Sequence, residues 1–291
     1  VFEGLKAYRH PDGSVWLFRA QENAKRFQAS ARRLGLPELE VEDFLGSIYS
    51  LVRADRDWVP DPVGGEASLY LRPFMFASEA FLGVRAAHHV TYSLIASPAG
   101  AYFVSGVEPV GIWVTTKYSR AGAGGTGAAK CGGNYASSLL AQEEAIRNGC
   151  AQVLFADAGS HEFVEELGGM NIWFVSDGEL VTPALTGSIL EGVTRSSILT
   201  IAADRGLKLV ERRVGLNELL EGIADHSISE VFACGTAAVI TPVGRFVDES
   251  GRTYQVADGG VGEHTLRLRQ SLLDIQFGRA EDSHGSLTRI L

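Results

Sequence analysis

The 291-residue sequence is 45% hydrophobic and 21% charged, a composition typical of a globular enzyme with one large domain or two ordinary ones. The 26 Lys and Arg against 35 Asp and Glu give a formal net charge of −9, which argues against a nucleic-acid binder or an acidic-membrane binder. No apolar run reaches the roughly 18 residues of a membrane span. The three cysteines lack CxxC or metal spacing, so we expect no metal site and a reduced, cytoplasmic protein.

The first hundred residues predict alternating strands and helices. The sequence opens without Met on the strand-like Val1-Phe2-Glu3-Gly4, so we expect a truncated form of a longer chain. Apolar residues at helical spacing predict one helix over residues 24–34, ended by Gly35, and a second around residues 44–52. Apolar and aromatic runs predict strands at residues 14–18, 67–76 and 90–97.

A non-periodic stretch follows, bracketed by Ser97-Pro98-Ala99-Gly100 and by Ser105-Gly106. Domain boundaries fall in such stretches, where few contacts cross. We therefore predict a small N-terminal domain at residues 1–98, a linker at 99–107 and a larger domain at 108–291.

The second part mixes strands and helices without strict alternation, which favours an α+β fold over a doubly wound sheet. A glycine-rich loop at residues 118–133 precedes a predicted helix at 134–148, with Leu139, Leu140 and Ala145 facing inward. Thr194 is a plausible N-cap for a helix within residues 189–205. The other predicted elements are strands at 110–116, 152–156, 171–176, 230–234 and 239–247, and a last helix at 263–277.

The glycine-rich loop has three competing interpretations. A P-loop needs Gly before its Lys and Ser or Thr after it, but Ala129 precedes Lys130 and Cys131 follows. The run Gly122-x-Gly124-x-x-Gly127 fits a dinucleotide fingerprint, although such glycines should open a helix directly. The third interpretation is that Lys130 forms a Schiff base, with small neighbours that let a flat cofactor approach the backbone.

The segment from Gly125 to Leu139, with its Lys130-Cys131-Gly132-Gly133-Asn134-Tyr135 run, resembles the catalytic segment of branched-chain aminotransferases of the bacterial type. These are two-domain, fold-type-IV enzymes that use pyridoxal 5′-phosphate (PLP). The likeness extends from Val1-Phe2-Glu3-Gly4-Leu5-Lys6-Ala7-Tyr8-Arg9 to Asp274-Ile275-Gln276-Phe277-Gly278. It implies an active site in the cleft between the domains and transfer of the amino group of leucine, isoleucine or valine to 2-oxoglutarate by a ping-pong mechanism.

The resemblance implies roles for individual residues that bind the cofactor. Lys130 matches the Schiff-base lysine, and Glu166, with Glu165 as the adjacent alternative, matches the carboxylate that keeps the pyridine nitrogen protonated. Tyr135 matches the tyrosine that binds the phenolic oxygen. The implied phosphate ligands are Arg26, the backbone amides of Val193 and Thr194, and the hydroxyl of Thr236.

The resemblance also implies substrate contacts and a partner. Thr236 and Ala237 match the turn that anchors the α-carboxylate. The wall of the side-chain pocket is matched by Phe2, Tyr70 and Tyr135. Arg72 matches the arginine that binds a second carboxylate. Because Tyr70 and Arg72 are two residues apart on a predicted strand, we expect them on one face. Leu82 and Val84 match a loop that reaches the partner's pocket in a homodimer.

The sequence departs from the family pattern at two places. Gly169 stands where some relatives have Thr, and Ala238 and Thr241 stand where vertebrate members have a CxxC. The alternative functions are D-amino-acid aminotransferase or aminodeoxychorismate lyase, which share the fold, and more remotely an NAD-dependent dehydrogenase or a non-catalytic binding protein.

Overall fold

The computed structural model describes residues 1–61, 65–100 and 107–291, and its Cα trace forms two compact units. The first unit comprises Val1–Val104, Ala129–Gly132 and Leu273–Leu291, and the second comprises Ser105–Ala128 and Gly133–Leu272. The predicted linker at residues 99–107 lies mostly outside the described residues, since 101–106 are not among them. The predicted domain bounds therefore remain predictions.

Strands and helices alternate irregularly along the chain. In chain order they are β1 (Leu5–Arg9), β2 (Val15–Phe18), α1 (Ala20–Arg33), α2 (Val41–Ala54), β3 (Ser68–Ala77), β4 (Val90–Ala99), β5 (Val110–Thr115), α3 (Gly132–Ala136), α4 (Leu139–Arg147), β6 (Gln152–Ala156), β7 (Val164–Leu167), β8 (Asn171–Ser176), β9 (Glu179–Pro183), α5 (Val193–Asp204), β10 (Lys208–Arg212), α6 (Leu216–Ala224), β11 (Ile228–Gly235), β12 (Val239–Val247), β13 (Thr253–Gln255), α7 (Glu263–Gln276) and β14 (Leu287–Arg289).

The first unit is built on an antiparallel sheet of five strands in the order β14-β2-β1-β3-β4. Helices α1 and α2 bury their apolar faces in its core, where Phe27, Phe44 and Ile48 are almost fully buried. Gly35 ends the turn after α1 with a φ of +64°, a conformation that glycine adopts without a steric penalty. Both predicted helices and the strands predicted at residues 14–18, 67–76 and 90–97 are confirmed. The strand-like Val1–Gly4 instead precedes β1 and contributes only an isolated bridge between Phe2 and Phe74.

The second unit holds a mixed sheet in the order β10-β9-β8-β11-β12-β5-β6-β7, with β13 paired to β12. The pairs β12–β5, β5–β6 and β9–β10 are parallel, whereas β8–β9, β8–β11 and β11–β12 are antiparallel. Its core contains Ile112, Leu154, Phe174 and Phe246. The mixture of parallel and antiparallel pairs confirms the predicted α+β class.

The single helix predicted at residues 134–148 is wrong. The chain forms two helices instead, α3 and α4, separated by Ser137 and Ser138. The Ser137 hydroxyl donates to the Arg120 and Asn134 carbonyls, and the Ser138 hydroxyl to the Tyr135 carbonyl. Such side-chain bonds to carbonyls compete with a continuous helix.

The break also changes which face of α4 is buried. Leu139 and Leu140, predicted to face inward, are 63% and 56% exposed, so that prediction is wrong. The inward position predicted for Ala145 is confirmed, because this residue is fully buried. Among the helices of the described residues, none is long and apolar enough to cross a bilayer.

Candidate active site

Lys130 belongs to the first unit, and its backbone is held on both sides. Its N–H donates to Ser30 Oγ at 2.9 Å, and its carbonyl accepts the Phe2 N–H at 3.0 Å. Its neighbours Ala129 and Cys131 are buried, and Lys130 itself is half-buried. The arrangement differs from that of a solvated lysine on a mobile loop.

Two predicted site residues, Lys130 and Arg72, lie at the aromatic ring of a third, Phe2. The ring centroid of Phe2 lies 5.0 Å from Lys130 Nζ and 4.8 Å from Arg72 Cζ. Arg72 Nη2 donates to the Tyr70 hydroxyl at 2.8 Å, which confirms that these β3 side chains share a face. A Cβ at Gly4 would collide with the Tyr70 hydroxyl, so only glycine fits there without displacing it. The result is an aromatic wall that carries two cations.

Arg26, the predicted phosphate ligand of α1, pairs with a carboxylate that the sequence reasoning missed. Arg26 Nε and Nη2 donate to the two carboxylate oxygens of Glu3 at 2.7 and 2.9 Å. Asn23 Nδ2 donates to the same carboxylate at 2.8 Å, and Glu3 is fully buried. The available signal was an acid within an otherwise apolar, strand-like segment.

Opposing effects act on the Glu3 carboxyl. Burial raises its pKa, but the charge and hydrogen bonds of Arg26, the charge of Lys130 and the Asn23 hydrogen bond together outweigh burial and lower the pKa below its ordinary value. Glu3 is therefore a buried carboxylate that stays ionised beside two cations.

In the second unit, Glu166 lies on β7 opposite a buried arginine. Arg120 Nη2 is 2.5 Å from Glu166 Oε1, and the two side chains are 4% and 3% exposed. Glu166 Oε1 also accepts the Leu190 N–H at 2.8 Å, and Oε2 accepts Asn171 Nδ2 at 3.3 Å. An opposite charge and amide donors at these distances stabilise the ionised carboxylate.

Arg120 is the second residue that the sequence reasoning missed. Besides Glu166, its Nη2 donates to the Gly127 carbonyl at 3.0 Å and to the Ser188 carbonyl at 2.7 Å. It thus ties the glycine-rich loop and the segment before α5 to one carboxylate. No short-range pattern marks it, since its partners lie 7, 46 and 68 positions along the chain.

Glu165, the adjacent alternative, has a different environment. Neighbouring strand residues point to opposite faces, and Glu165 lines a cavity of about 190 Å³ with Phe163, Ile189 and Arg213. The Ser188 hydroxyl donates to one carboxyl oxygen, and the other has no hydrogen-bond partner among the described residues. Burial raises the pKa of Glu165 and outweighs that hydrogen bond. A carboxyl whose pKa is raised is the poorer partner for a cation.

The N-terminus of helix α5 lies at the residues predicted to bind the phosphate. It begins at Val193, and its N-cap is Gly192 rather than the predicted Thr194, which is therefore the second helical residue. Gly192 is extended (φ −70°, ψ 127°) and brings no capping side chain, so the backbone N–H groups of the first turn face no hydroxyl or carboxylate of the cap residue. The N–H groups and the dipole of such a terminus favour a phosphate. A Cβ at Gly192 would collide with Asn171 Oδ1.

Tyr135 and Gly235, the residue before the predicted Thr236, border the turn between β7 and β8. A Cβ at Gly169 would contact Tyr135 Cε1 at 3.6 Å, and a Cβ at Gly235, just before Thr236, would meet Met170 Cγ at 3.3 Å. Thr236 is half-buried and Ala237 is exposed. Tyr135 and the Gly235 end of β11 are thus brought to the same turn.

Leu82 and Val84 belong to the first unit and are fully exposed. Their predicted contact with a partner subunit stays a prediction.

Comparisons with known proteins identify the family of the chain. The sequence model of the amino-transferase class IV family matches residues 1–246. A probable branched-chain-amino-acid aminotransferase of Streptomyces coelicolor is 57% identical over 98% of this chain and 78% of that protein. A branched-chain-amino-acid aminotransferase of Mycobacterium tuberculosis is 54% identical over 100% of this chain and 79% of that protein.

Solved structures give the same result. A branched-chain amino acid aminotransferase from T.th., crystallised with pyridoxamine 5′-phosphate, superposes with a TM-score of 0.85 at 31% identity. The match covers 100% of this chain and 89% of that one.

Proposed function

The chain belongs to the class IV aminotransferases, and we propose that it transfers the amino group of L-leucine, L-isoleucine or L-valine to 2-oxoglutarate, giving branched-chain 2-oxo acids and L-glutamate by a ping-pong mechanism. Relatives at 43–57% identity that carry the name of this activity support the choice of substrates. The observation that carries the proposal is Lys130, an amine with a fixed backbone beside an aromatic ring in a chain of this family.

Each unit, taken by itself, carries side chains of the kind that pyridoxal 5′-phosphate needs. When bound, this cofactor supplies the aldehyde that accepts the amino group and a ring that withdraws electrons. Glu166, which pairs with Arg120, would provide the carboxylate that a protonated pyridine nitrogen needs. Arg26 and the first turn of α5, with Val193 and Thr194, have the donors that a phosphate needs, together with the Thr236 hydroxyl.

Lys130 Nζ would hold the cofactor covalently and, once displaced by the substrate amine, would carry a proton at its nitrogen. Proton transfer depends on placing this nitrogen within about 3 Å of the reacting carbon. The Phe2 and Ser30 hydrogen bonds restrict the backbone from which the side chain extends. Tyr135 would donate its hydroxyl to the phenolic oxygen of the ring.

The first unit carries the proposed specificity groups. Phe2 and Tyr70 provide apolar surface for a branched side chain, and Arg72 between them provides the cation for the second carboxylate of glutamate or 2-oxoglutarate. The turn at Thr236 and Ala237 would bind the α-carboxylate.

We further propose a cytoplasmic homodimer with Leu82 and Val84 at its interface. The buried, unpaired cysteines and the full exposure of these two apolar side chains support that proposal.

The test is chemical. The purified protein should absorb as a PLP enzyme, its spectrum should change when L-leucine is added, and borohydride reduction followed by peptide mapping should place the cofactor on Lys130. Lys130→Ala should lose transamination with leucine and 2-oxoglutarate. A Lys130→Ala protein with full activity would overturn the assignment.

Donor profiling separates the alternatives within the fold. Preference for D-alanine would indicate a D-amino-acid aminotransferase, and pyruvate release from aminodeoxychorismate would indicate a lyase. The dehydrogenase alternative is disfavoured, because Gly122–Gly127 lies in a loop that ends five residues before the short helix α3 and opens no helix.

A further inference from the structure

Glu3 has no assigned role in the chemistry above, yet it carries an unusually complete set of partners. Its side chain is fully buried, and Arg26 pairs with it through two bonds at 2.7 and 2.9 Å. Asn23 and the Gly4 N–H donate to Oε2 at 2.8 and 3.2 Å. A pair of this side-on geometry fixes the plane of a guanidinium as well as its position.

The segment that carries Glu3 also holds Lys130. The Phe2 N–H donates to the Lys130 carbonyl at 3.0 Å, and the Glu3 N–H donates to the Pro73 carbonyl at 2.7 Å. The charge of Lys130 is among the influences that lower the pKa of Glu3, so the two side chains interact electrostatically. One extended segment thus fixes the Lys130 backbone and, through Glu3, the Arg26 side chain.

Two effects of Glu3 on an anion bound by Arg26 oppose each other. Its negative charge partly cancels the guanidinium charge, which weakens the attraction. The hydrogen bonds of Glu3 fix the Arg26 side chain before the anion binds, so less rotational freedom is lost on binding and the anion binds more tightly. Both carboxylate oxygens bind the Nε and Nη2 edge in a buried setting, so we expect the orienting effect to be the larger.

We propose that Glu3 is a positioning residue for the phosphate end of the cofactor, which orients Arg26 from the same segment that holds the backbone of Lys130. This inference rests on the phosphate role given to Arg26 in the proposed function. It assigns Glu3 no contact with substrate or cofactor. The difference that Glu3 makes between a ligand with a phosphate and one without should therefore appear only when Arg26 is present.

The experiment compares PLP with pyridoxal, which lacks the phosphate. The protein is stripped of cofactor, and the dissociation constant of each ligand is measured by absorbance for wild type, Glu3→Gln, Arg26→Met and the double variant. Glutamine keeps the shape of Glu3 but places an N–H donor opposite an Arg26 donor. We expect Glu3→Gln to weaken PLP about tenfold more than pyridoxal, because an effect through the charge of Lys130 applies to both aldehydes alike. In the double variant, Glu3→Gln should not change the ratio of the PLP and pyridoxal dissociation constants beyond the change that Arg26→Met causes alone.

A matched control lies on the same helix. Arg32 of α1 makes a comparable two-bond pair with Glu38, at 2.8 and 2.6 Å, but this pair is exposed. Glu38→Gln should leave both dissociation constants unchanged. If Glu3→Gln does not fold, Asn23→Ala removes one donor from the same carboxylate and should weaken PLP in the same selective way, by a smaller factor.

The possible outcomes are distinct. Equal weakening of PLP and pyridoxal by Glu3→Gln would reduce Glu3 to a structural role and overturn the proposal. Tighter PLP binding would overturn it too, because charge cancellation would then exceed orientation. If Arg26→Met leaves the preference for PLP over pyridoxal intact, the phosphate role of Arg26 itself fails, and the inference fails with it for that separate reason.

Discussion

Arg120 Nη2 lies 2.5 Å from Glu166 Oε1, and both side chains are more than nine-tenths buried. Buried pairs of this kind depend on both partners, because removing one leaves an uncompensated charge. Arg120→Met should lower the free energy of unfolding by about 3–5 kcal/mol. Urea titration provides the measurement. The control is Arg32→Met, which breaks the exposed pair with Glu38 and should cost about 0–1 kcal/mol. Equal costs for the two variants would contradict the prediction.

Glu165 and Glu166 are adjacent buried acids on β7 that should differ in function. Glu166→Gln removes the charge proposed for the pyridine nitrogen, so kcat for transamination should fall by about a hundredfold or more. Glu165→Gln imitates the neutral form that burial already favours, and should change kcat by only a few-fold. Steady-state kinetics with leucine and 2-oxoglutarate decides between them. The assignment of Glu166 fails if the larger loss occurs at Glu165.

Glu165 should also contribute a pH dependence to stability. Its pKa is raised in the folded state, mainly by burial, so its contribution is fully present below the unfolded pKa and is lost as pH rises through the folded pKa. Relative to wild type, Glu165→Gln should therefore gain stability between pH 4 and neutral pH. Unfolding free energies measured across that range check this. A constant difference between the two proteins would count against it.

Asp157 should show the opposite sign. Burial would raise its pKa, but backbone and side-chain hydrogen bonds from Ser160, Phe163 and Glu162 together lower it to about 2. Its contribution is therefore present above the unfolded pKa and is lost as pH falls through about 2. Asp157→Asn should cost about 1–2 kcal/mol at neutral pH, a value reduced for partial solvent screening. The difference from wild type should shrink in acid, as followed by thermal unfolding at pH 2, 4 and 7.

A side chain should be destabilising at Gly127 but tolerated at Gly132. A Cβ at Gly127 would collide with the Ser188 carbonyl, which is backbone and cannot swing aside, and Gly127 and Ser188 are both bound by Arg120. A Cβ at Gly132 meets nothing within 4 Å. Gly127→Ala should therefore destabilise the protein by about 1–3 kcal/mol, and Gly132→Ala should be neutral or slightly stabilising. The melting temperatures of the two variants and of wild type, measured by differential scanning fluorimetry, check this prediction.

Periodicity predicted the helices of the first unit because their apolar residues repeat at helical spacing and meet one core, as Phe27 and Phe44 do. It failed at α3 and α4, where Ser137 and Ser138 bind carbonyls instead of continuing the helix, and so the burial of Leu139 and Leu140 was also wrong. The spacing of apolar residues does not predict which serine hydroxyls donate hydrogen bonds to backbone carbonyls in the folded chain.

The proposed catalytic positions came from the resemblance and not from spacing, since Glu165 and Glu166 read alone as exposed acids. Their supporting residues could not be predicted from spacing either. Arg120 reaches Ser188 across 68 positions and Arg26 reaches Glu3 across 23, and neither separation follows a helical or strand period.

Ala129–Gly132 belongs to the first unit although the residues before and after it belong to the second. The first unit needs these four residues and Leu273–Leu291, which includes β14, in addition to Val1–Val104. A fragment cut after the first stretch would lack both the lysine and an edge strand of its sheet. We therefore expect no single cut of the chain to give two fragments that fold independently, because segments of the first unit lie before, within and after the second in the sequence.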